Sequence, residues 1–302
     1  MRTFVDFDAW GEAVRGADLR LACDGVERPV WRLAMRNLGS VVVQMAHEGG
    51  GTICYGANNH GGTVLFLPLT HTGLQVANCE PLGEASLLAI PPGSDFSIRV
   101  RRRAHAWCSV ALPADNAAAV GHGPARSRIV RSGVGQMRRL KHLVARVFAT
   151  PLLGDRPESA HAHAAAELIE AVHACLGMPS GSPPAQGRPR IDRAEIIRRT
   201  QAHLESVAPV RPSVRTLAAA AGVTDRTLCR AFHDTFGVSP RRYMTLMLLH
   251  RVRRALQQPA VRETTVTQIL TAHGIWEFGR FAARYRRQFG ESLSDTLSHA
   301  EG

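Results

Sequence analysis

The feature that most limits the fold of this chain is a repeat in its last third. Leu217, Gly222, Leu228, Phe232, Phe236, Gly237 and Ser239 recur as Ile269, Gly274, Phe281, Tyr285, Phe289, Gly290 and Ser292. The offset is 52 residues through Gly274 and 53 beyond it, so the second copy carries one extra residue in its turn. In the first copy, Ser213 to Thr224 reads as a capped short helix that ends at a glycine, and Thr224 can cap the next helix. That helix, about 225 to 236, places Leu228, Phe232 and Phe236 on one face and turns Arg226 and Arg230 elsewhere. Helix, glycine-containing turn, second helix is the helix-turn-helix plan, here written twice. Between the copies, Pro240 to Leu256 keeps an unbroken helical pattern through Tyr243, Leu246, Leu249, Val252 and Leu256. A rigid connecting helix there fixes the distance between the two units.

Charge points the same way. The chain has a net charge of +12, of which residues 188–302 carry +9, with 19 arginines, no lysine and 10 acidic residues. The planar arginine fork suits phosphates and guanine edges, so a polyanion such as nucleic acid is the favoured partner. A solvated basic surface in an arginine-rich proteome is the alternative.

At 302 residues the chain is long enough for two domains, and its 45% hydrophobic content is that of a globular protein. From about Val30 to Pro113, short apolar runs alternate with Gly, Pro and Asn clusters, which predicts an all-β sandwich or small barrel. Its expected strands are Val41–Ala46, Thr63–Leu69, Ser86–Ile90, Phe96–Val100 and Trp107–Leu112. After Pro113 the pattern turns helical, over Val134–Thr150 and Ser159–Leu176. The fold class expected is therefore α+β, with a domain over 1–177, a Pro/Gly/Ser-rich linker over 178–190 and an all-α tandem helix-turn-helix domain over 191–302. The six cysteines have neither CxxC nor zinc-finger spacing and are expected as reduced, mostly buried thiols. Acidic residues stand where a secretory signal needs an apolar run, and no apolar stretch reaches membrane-spanning length, so a cytoplasmic location with no membrane partner is expected.

The stretch from about Ile191 to Leu297 resembles the DNA-binding domain of the AraC/XylS family. The strings that carry the resemblance are Leu217-Ala218 with Gly222-Val223-Thr224, Phe236-Gly237-Val238-Ser239-Pro240 with Tyr243, and Gly274-Ile275-Trp276 through Phe281, Tyr285 and Phe289-Gly290. A weaker likeness, centred on Leu88-Ala89-Ile90-Pro91-Pro92-Gly93, is to the cupin-like sensory domain that many members carry. The resemblance implies a transcription regulator, often an activator, that binds double-stranded DNA, answers to a small-molecule effector, works with RNA polymerase and forms a homodimer. It also implies phosphate contacts from Thr224, Thr227 and Arg241. The apolar stripes of 134–176 exceed what a lone sandwich needs and suggest pairing of two chains; helices that merely cover the sandwich are the alternative.

In the first unit, the residues opposite the core stripe are Arg226, Cys229 and Arg230, and the two arginines can each donate two hydrogen bonds to guanine O6 and N7. Phosphate contact alone is the competing role. Cys229 stands where the family often has a stronger hydrogen-bonding side chain. The second unit offers Phe278, Gly279, Ala282 and Ala283, so its base contacts are apolar or absent; Ala283 departs from the polar or basic residue of many relatives, and Leu270 from a small one. Arg280, Arg284, Arg286 and Arg287 are candidates for phosphates or for a solvated face. In the β region, Trp31, His47, Tyr55, His60 and Trp107 either line an effector pocket or are ordinary core. No metal set, cofactor motif or catalytic signature is present, which sets a cupin-type enzyme with an appended DNA-binding module, or an architectural DNA-bending protein, behind the regulator.

Overall fold

A computed structural model describes residues 1–70, 73–114, 126–149, 158–177, 192–208, 212–258 and 264–300. The chain divides into two compact units, Met1–Arg20 with Val26–Pro189 and Leu21–Gly25 with Arg190–Gly302. The expected linker over 178–190 lies outside the described residues.

The N-terminal unit holds two sheets. The larger orders β1 (Arg2–Thr3), β3 (Trp31–Asn37), β4 (Val42–Glu48), β11 (His105–Ala111), β6 (Val64–Pro68), β9 (Ser86–Ile90) and β12 (Arg128–Arg131). The smaller orders β2 (Ala17–Cys23), β5 (Thr52–Asn58), β10 (Asp95–Val100), β7 (Gln75–Ala77) and β8 (Glu80–Pro81). The central β11 pairs antiparallel with β4, Cys108 opposite Met45, and with β6, Cys108 opposite Leu67. Strand alternation sends Leu65, Leu67, Leu87, Cys108 and Val110 to one face, where α2 (Val134–Ala149) and α3 (Glu158–Leu176) cover them with Met137, Leu140, Val144, Leu168 and Val172. Phe66, Leu88 and Trp107 alternate to the opposite face. All seven residues of β11 are buried, the near-continuous apolar run expected of a strand covered on both sides.

Three features differ from the sequence expectation. The β region starts before Val30, because α1 (Phe7–Ala13) and β2 precede it. β5 sits between glycine clusters that read as turn, and β12 precedes the helices in a stretch read as helical. The apolar stripes of α2 and α3 are buried in the single-chain core, so the stripes by themselves are accounted for by covering the sheet.

The C-terminal unit is all helix. Its elements are α4 (Arg193–Ser206), α5 (Val214–Ala221), α6 (Asp225–Phe236), α7 (Pro240–Gln257), α8 (Val266–Ala272), α9 (Phe278–Phe289) and α10 (Leu293–Ala300). α4 packs on α5 and α6, and α10 packs on α7, α8 and α9, so each repeat gains one supporting helix. α7 serves both. Its first half stacks Tyr243 on Phe236, with ring centroids 4.6 Å apart, and its second half buries Leu249, Val252 and Leu256 with Ile269, Phe281 and Tyr285.

Candidate nucleic-acid interface

The two repeats close by the same bonds. In the first, Gly222 at φ 69° ends α5, and the Val223 N–H donates back to the Ala218 carbonyl at 2.9 Å. In the second, Gly274 has φ 69°, and the Ile275 N–H donates to the Leu270 carbonyl at 3.0 Å. Both longer helices end on a left-handed glycine, with Gly237 N–H donating to the His233 carbonyl at 2.9 Å and Gly290 N–H to the Arg286 carbonyl at 2.8 Å. Only glycine takes this left-handed turn without steric cost, which is why the four glycines recur at the repeat's own offset. Ser239 and Ser292 then cap the next helix alike, accepting from the Arg242 N–H at 3.3 Å and the Asp295 N–H at 3.1 Å.

The entries to the two exposed helices differ. Thr224 caps α6, its hydroxyl accepting from the Thr227 N–H at 3.2 Å and lying 2.9 Å from the Thr227 hydroxyl. α9 starts at Glu277, which makes no side-chain cap hydrogen bond and instead accepts from Arg280 at 2.8 Å. The extra turn residue makes this second entry longer.

On α6, Leu228, Ala231, Phe232, Thr235 and Phe236 are buried, while Arg226, Cys229 and Arg230 are exposed. These three sit at i, i+3 and i+4, one stripe of a helix. Arg230 lies 3.9 Å from Asp234, but 74% of its side chain stays exposed, so its fork is presented outward. His233, the next position of the stripe, is also exposed; sequence reasoning stopped one turn short of it. On α9, Phe281 and Tyr285 are buried, and Phe278, Gly279, Ala282 and Ala283 are exposed. Trp276, in the turn before α9, is 73% exposed and was not singled out from the sequence.

Of the phosphate candidates, Arg241, Arg284, Arg286 and Arg287 line two concavities, and Thr224, Thr227 and Arg280 line neither. A cleft of about 750 Å³ between the repeats is lined in part by Ser213, Ser239, Arg241, Arg242, Arg284 and Arg287. A second, of about 560 Å³, is lined by Ala282, Ala283, Arg286, Arg287 and Ser292. Other arginines serve the fold. Arg193 pairs with Asp234 at 3.0 Å, and Arg253 pairs with Glu291 at 2.9 Å and lies 4.6 Å from the Phe289 ring centre.

The five candidate effector residues stand on five different segments, four strands and a turn. Trp31 and Trp107 each pack against Trp10, at 5.7 and 6.2 Å between ring centres. His47 lies opposite Arg32 in the ladder, and burial, then Arg32 and His105, hold its imidazole below the usual value. Tyr55 is on β5 in the smaller sheet, 5.7 Å beneath the Arg20 guanidinium, and His60 accepts from the Gly62 N–H at 3.1 Å in a turn. Sequence reasoning missed a buried pair nearby, His105 and Glu48 at 2.6 Å, with the Thr52 hydroxyl donating to the same carboxylate at 2.6 Å. Four of the six cysteines are buried, and burial raises the thiols of Cys54, Cys108 and Cys175, whereas Cys229 is exposed. Among the described residues no group of His, Cys, Asp and Glu is placed to hold a metal ion, and no helix is long and apolar enough to cross a membrane.

Two glycine-closed helix pairs, joined by one buried helix and each presenting an exposed second helix, make this unit a tandem helix-turn-helix domain. Comparison with known proteins agrees. The model of the helix-turn-helix domain family matches residues 217–299. The chain is 36% identical over 86 residues to the XylDLEGF operon transcriptional activator 2 of Pseudomonas putida, covering 28% of this chain and 55% of that protein. It is 35% identical over 85 residues to the XylDLEGF operon transcriptional activator of the same organism, covering 28% and 26%. A probable AraC family transcriptional regulator of known structure from Rhodopseudomonas palustris is 31% identical, with a TM-score of 0.31 over 35% of this chain and 96% of that one. The chain thus spans from about a quarter to just over half the length of the curated relatives named here. The C-terminal unit is a helix-turn-helix domain, similar in sequence to the XylDLEGF operon activators.

Proposed function

We infer that this protein is a sequence-specific DNA-binding transcription regulator of the AraC/XylS type. The observation that carries the reading is the pair of exposed stripes on matched scaffolds, Arg226, Cys229 and Arg230 on α6 and their partners 53 residues on, Gly279, Ala282 and Ala283 on α9. A helix of this kind enters the major groove by its N-terminal end. Arg226 and Arg230 read bases from there, with Cys229 between them. Thr224, Thr227, Arg241, Arg280, Arg284, Arg286 and Arg287 hold phosphates, which set register without reading sequence.

The remaining parts of the reading follow from the family likeness and the layout. The N-terminal β-rich unit, over 1–177, binds a small-molecule effector, and the segment 178–190 links it to the reading unit. The chain works in the cytoplasm on its promoter as an activator, in contact with RNA polymerase, and pairs with a second copy. It needs no cofactor and catalyses no reaction. Selection of duplexes from a random library by the full chain, then competition of the enriched duplex against random duplex, tests the reading. A preference of about a thousandfold or more is expected of a specific regulator. Equal binding to both would make it an architectural DNA binder instead. Sedimentation of the full chain at micromolar concentration tests the pairing, and a strict monomer would remove it.

A further inference from the structure

α9 carries the same fold as α6 but a different surface. Where α6 offers Arg226, Cys229 and Arg230, α9 offers Gly279, Ala282 and Ala283, all exposed and none with a side-chain hydrogen-bond donor or acceptor. Phe278, 37% exposed, stands at the start of this surface, and Trp276 is 73% exposed just before it. The other three tryptophans of the chain, all in the N-terminal unit, are 6% exposed or less.

Two further observations say what meets this surface. Arg280, Arg284, Arg286 and Arg287 are exposed on the same helix, which has no acidic residue between Phe278 and Phe289, and one concavity is lined by Ala282 and Ala283 together with Arg286, Arg287 and Ser292. The occupant is therefore polyanionic outside and apolar where it touches the helix. Gly279 is the second observation. A Cβ built there meets nothing within 4 Å, so no internal packing requires glycine, although glycine weakens an exposed helical position. Its bare backbone lets a partner come close.

In the major groove the apolar group that distinguishes one base pair from another is the thymine C5 methyl, and alanine and phenylalanine are side chains that contact it. We propose that the second helix-turn-helix reads thymine methyl groups through Phe278, Ala282 and Ala283, with Trp276 packing on the flanking bases and Gly279 admitting them close to the helix. Its half-site is then specified by A·T pairs rather than by guanine, in contrast to the arginine-reading first half. The inference rests on the DNA-reading role argued above.

The test uses the full chain and a duplex enriched by it from a random library, with each thymidine replaced in turn by deoxyuridine, which removes the methyl and keeps every hydrogen bond. At one or more positions the replacement is expected to weaken binding by about fourfold, the worth of one buried methyl. Phe278→Ser should abolish the difference at the thymidine that Phe278 reads and keep it at those that Ala282 and Ala283 read, Phe278→Leu should keep it throughout, and Arg230→Ala should keep it too. Gly279→Ala should raise the thermal midpoint while lowering affinity for the same duplex, which separates a binding role from a folding one. An enriched duplex in which no thymidine replacement matters, or a methyl dependence that is the same at every position after Phe278→Ser, Ala282→Ser and Ala283→Ser, overturns methyl reading and leaves DNA reading intact. Failure to enrich any duplex overturns both.

Discussion

The Gln201 side-chain amide donates to the Tyr243 hydroxyl at 2.7 Å, joining α4 to α7 between two residues that are 3% and 1% exposed. The second repeat secures its own buried tyrosine differently, Tyr285 lying 2.8 Å from the Thr296 hydroxyl of α10. Tyr243→Phe keeps the ring stacked on Phe236 but takes a hydrogen-bond partner from a buried amide, at a cost of about 1–3 kcal/mol. Urea unfolding of the full chain measures it. A midpoint equal to that of the parent would show that the bond contributes nothing.

Glu195 receives two bonds from Arg198, at 2.7 and 2.8 Å, and one from Arg199 at 2.8 Å. These bonds hold its carboxyl down from the ordinary 4.5 to about 2. A depressed carboxyl stabilises the fold above its unfolded value and loses that contribution as pH falls through its folded value. Glu195→Gln should therefore be less stable than the parent at neutral pH, and the gap should close between pH 4.5 and about 2. Because the group is partly exposed, the gap is a small one. Parallel urea titrations across that range decide it, and a gap independent of pH would reject the assignment.

Gly222 and Gly274 both have φ 69° at matched turns. Alanine at either must adopt a left-handed conformation, at a cost of about 1–2 kcal/mol. The two substitutions should lower the thermal midpoint by similar amounts, since the turns close by the same bond. An effect confined to Gly222 would show that the second turn relaxes where the first cannot.

Arg230→Ala should weaken binding to an enriched duplex far more than binding to random DNA, because a base contact worth about 1–3 kcal/mol goes with the charge. Equal losses on both would reduce Arg230 to a phosphate contact. Arg286→Ala should weaken both duplexes alike and make the salt dependence shallower by about one unit of slope. A slope that does not move would exclude a phosphate there.

The C-terminal unit was legible in its sequence because each of its rules is local. Ser213 and Thr224 are read as caps from their neighbours, Gly222 as a stop, and Leu228, Phe232 and Phe236 as a face, and the structure shows each in that place. Caps and stops leave their mark in a few consecutive residues. His233 and the exposure of Trp276 escaped notice because exposure depends on what else packs nearby. The β unit was less legible for the same reason. β5, Thr52–Asn58, is flanked by glycines that mimic a loop, and only its pairing with β10, Tyr55 opposite Ser97, makes it a strand. The stripes of α2 and α3 were seen, but what they cover is a sheet assembled from residues as far back as Leu38 and Val43. The His105–Glu48 contact spans 57 positions and has no local signature at all.

The unlike entries to α6 and α9 give the tandem a direction. On the proposed reading, a threonine-capped arginine helix followed by an uncapped apolar one asks for two unlike half-sites in a fixed order. One chain on one site then carries polarity along the duplex, and whatever else it touches is held upstream or downstream by the order of its own two halves.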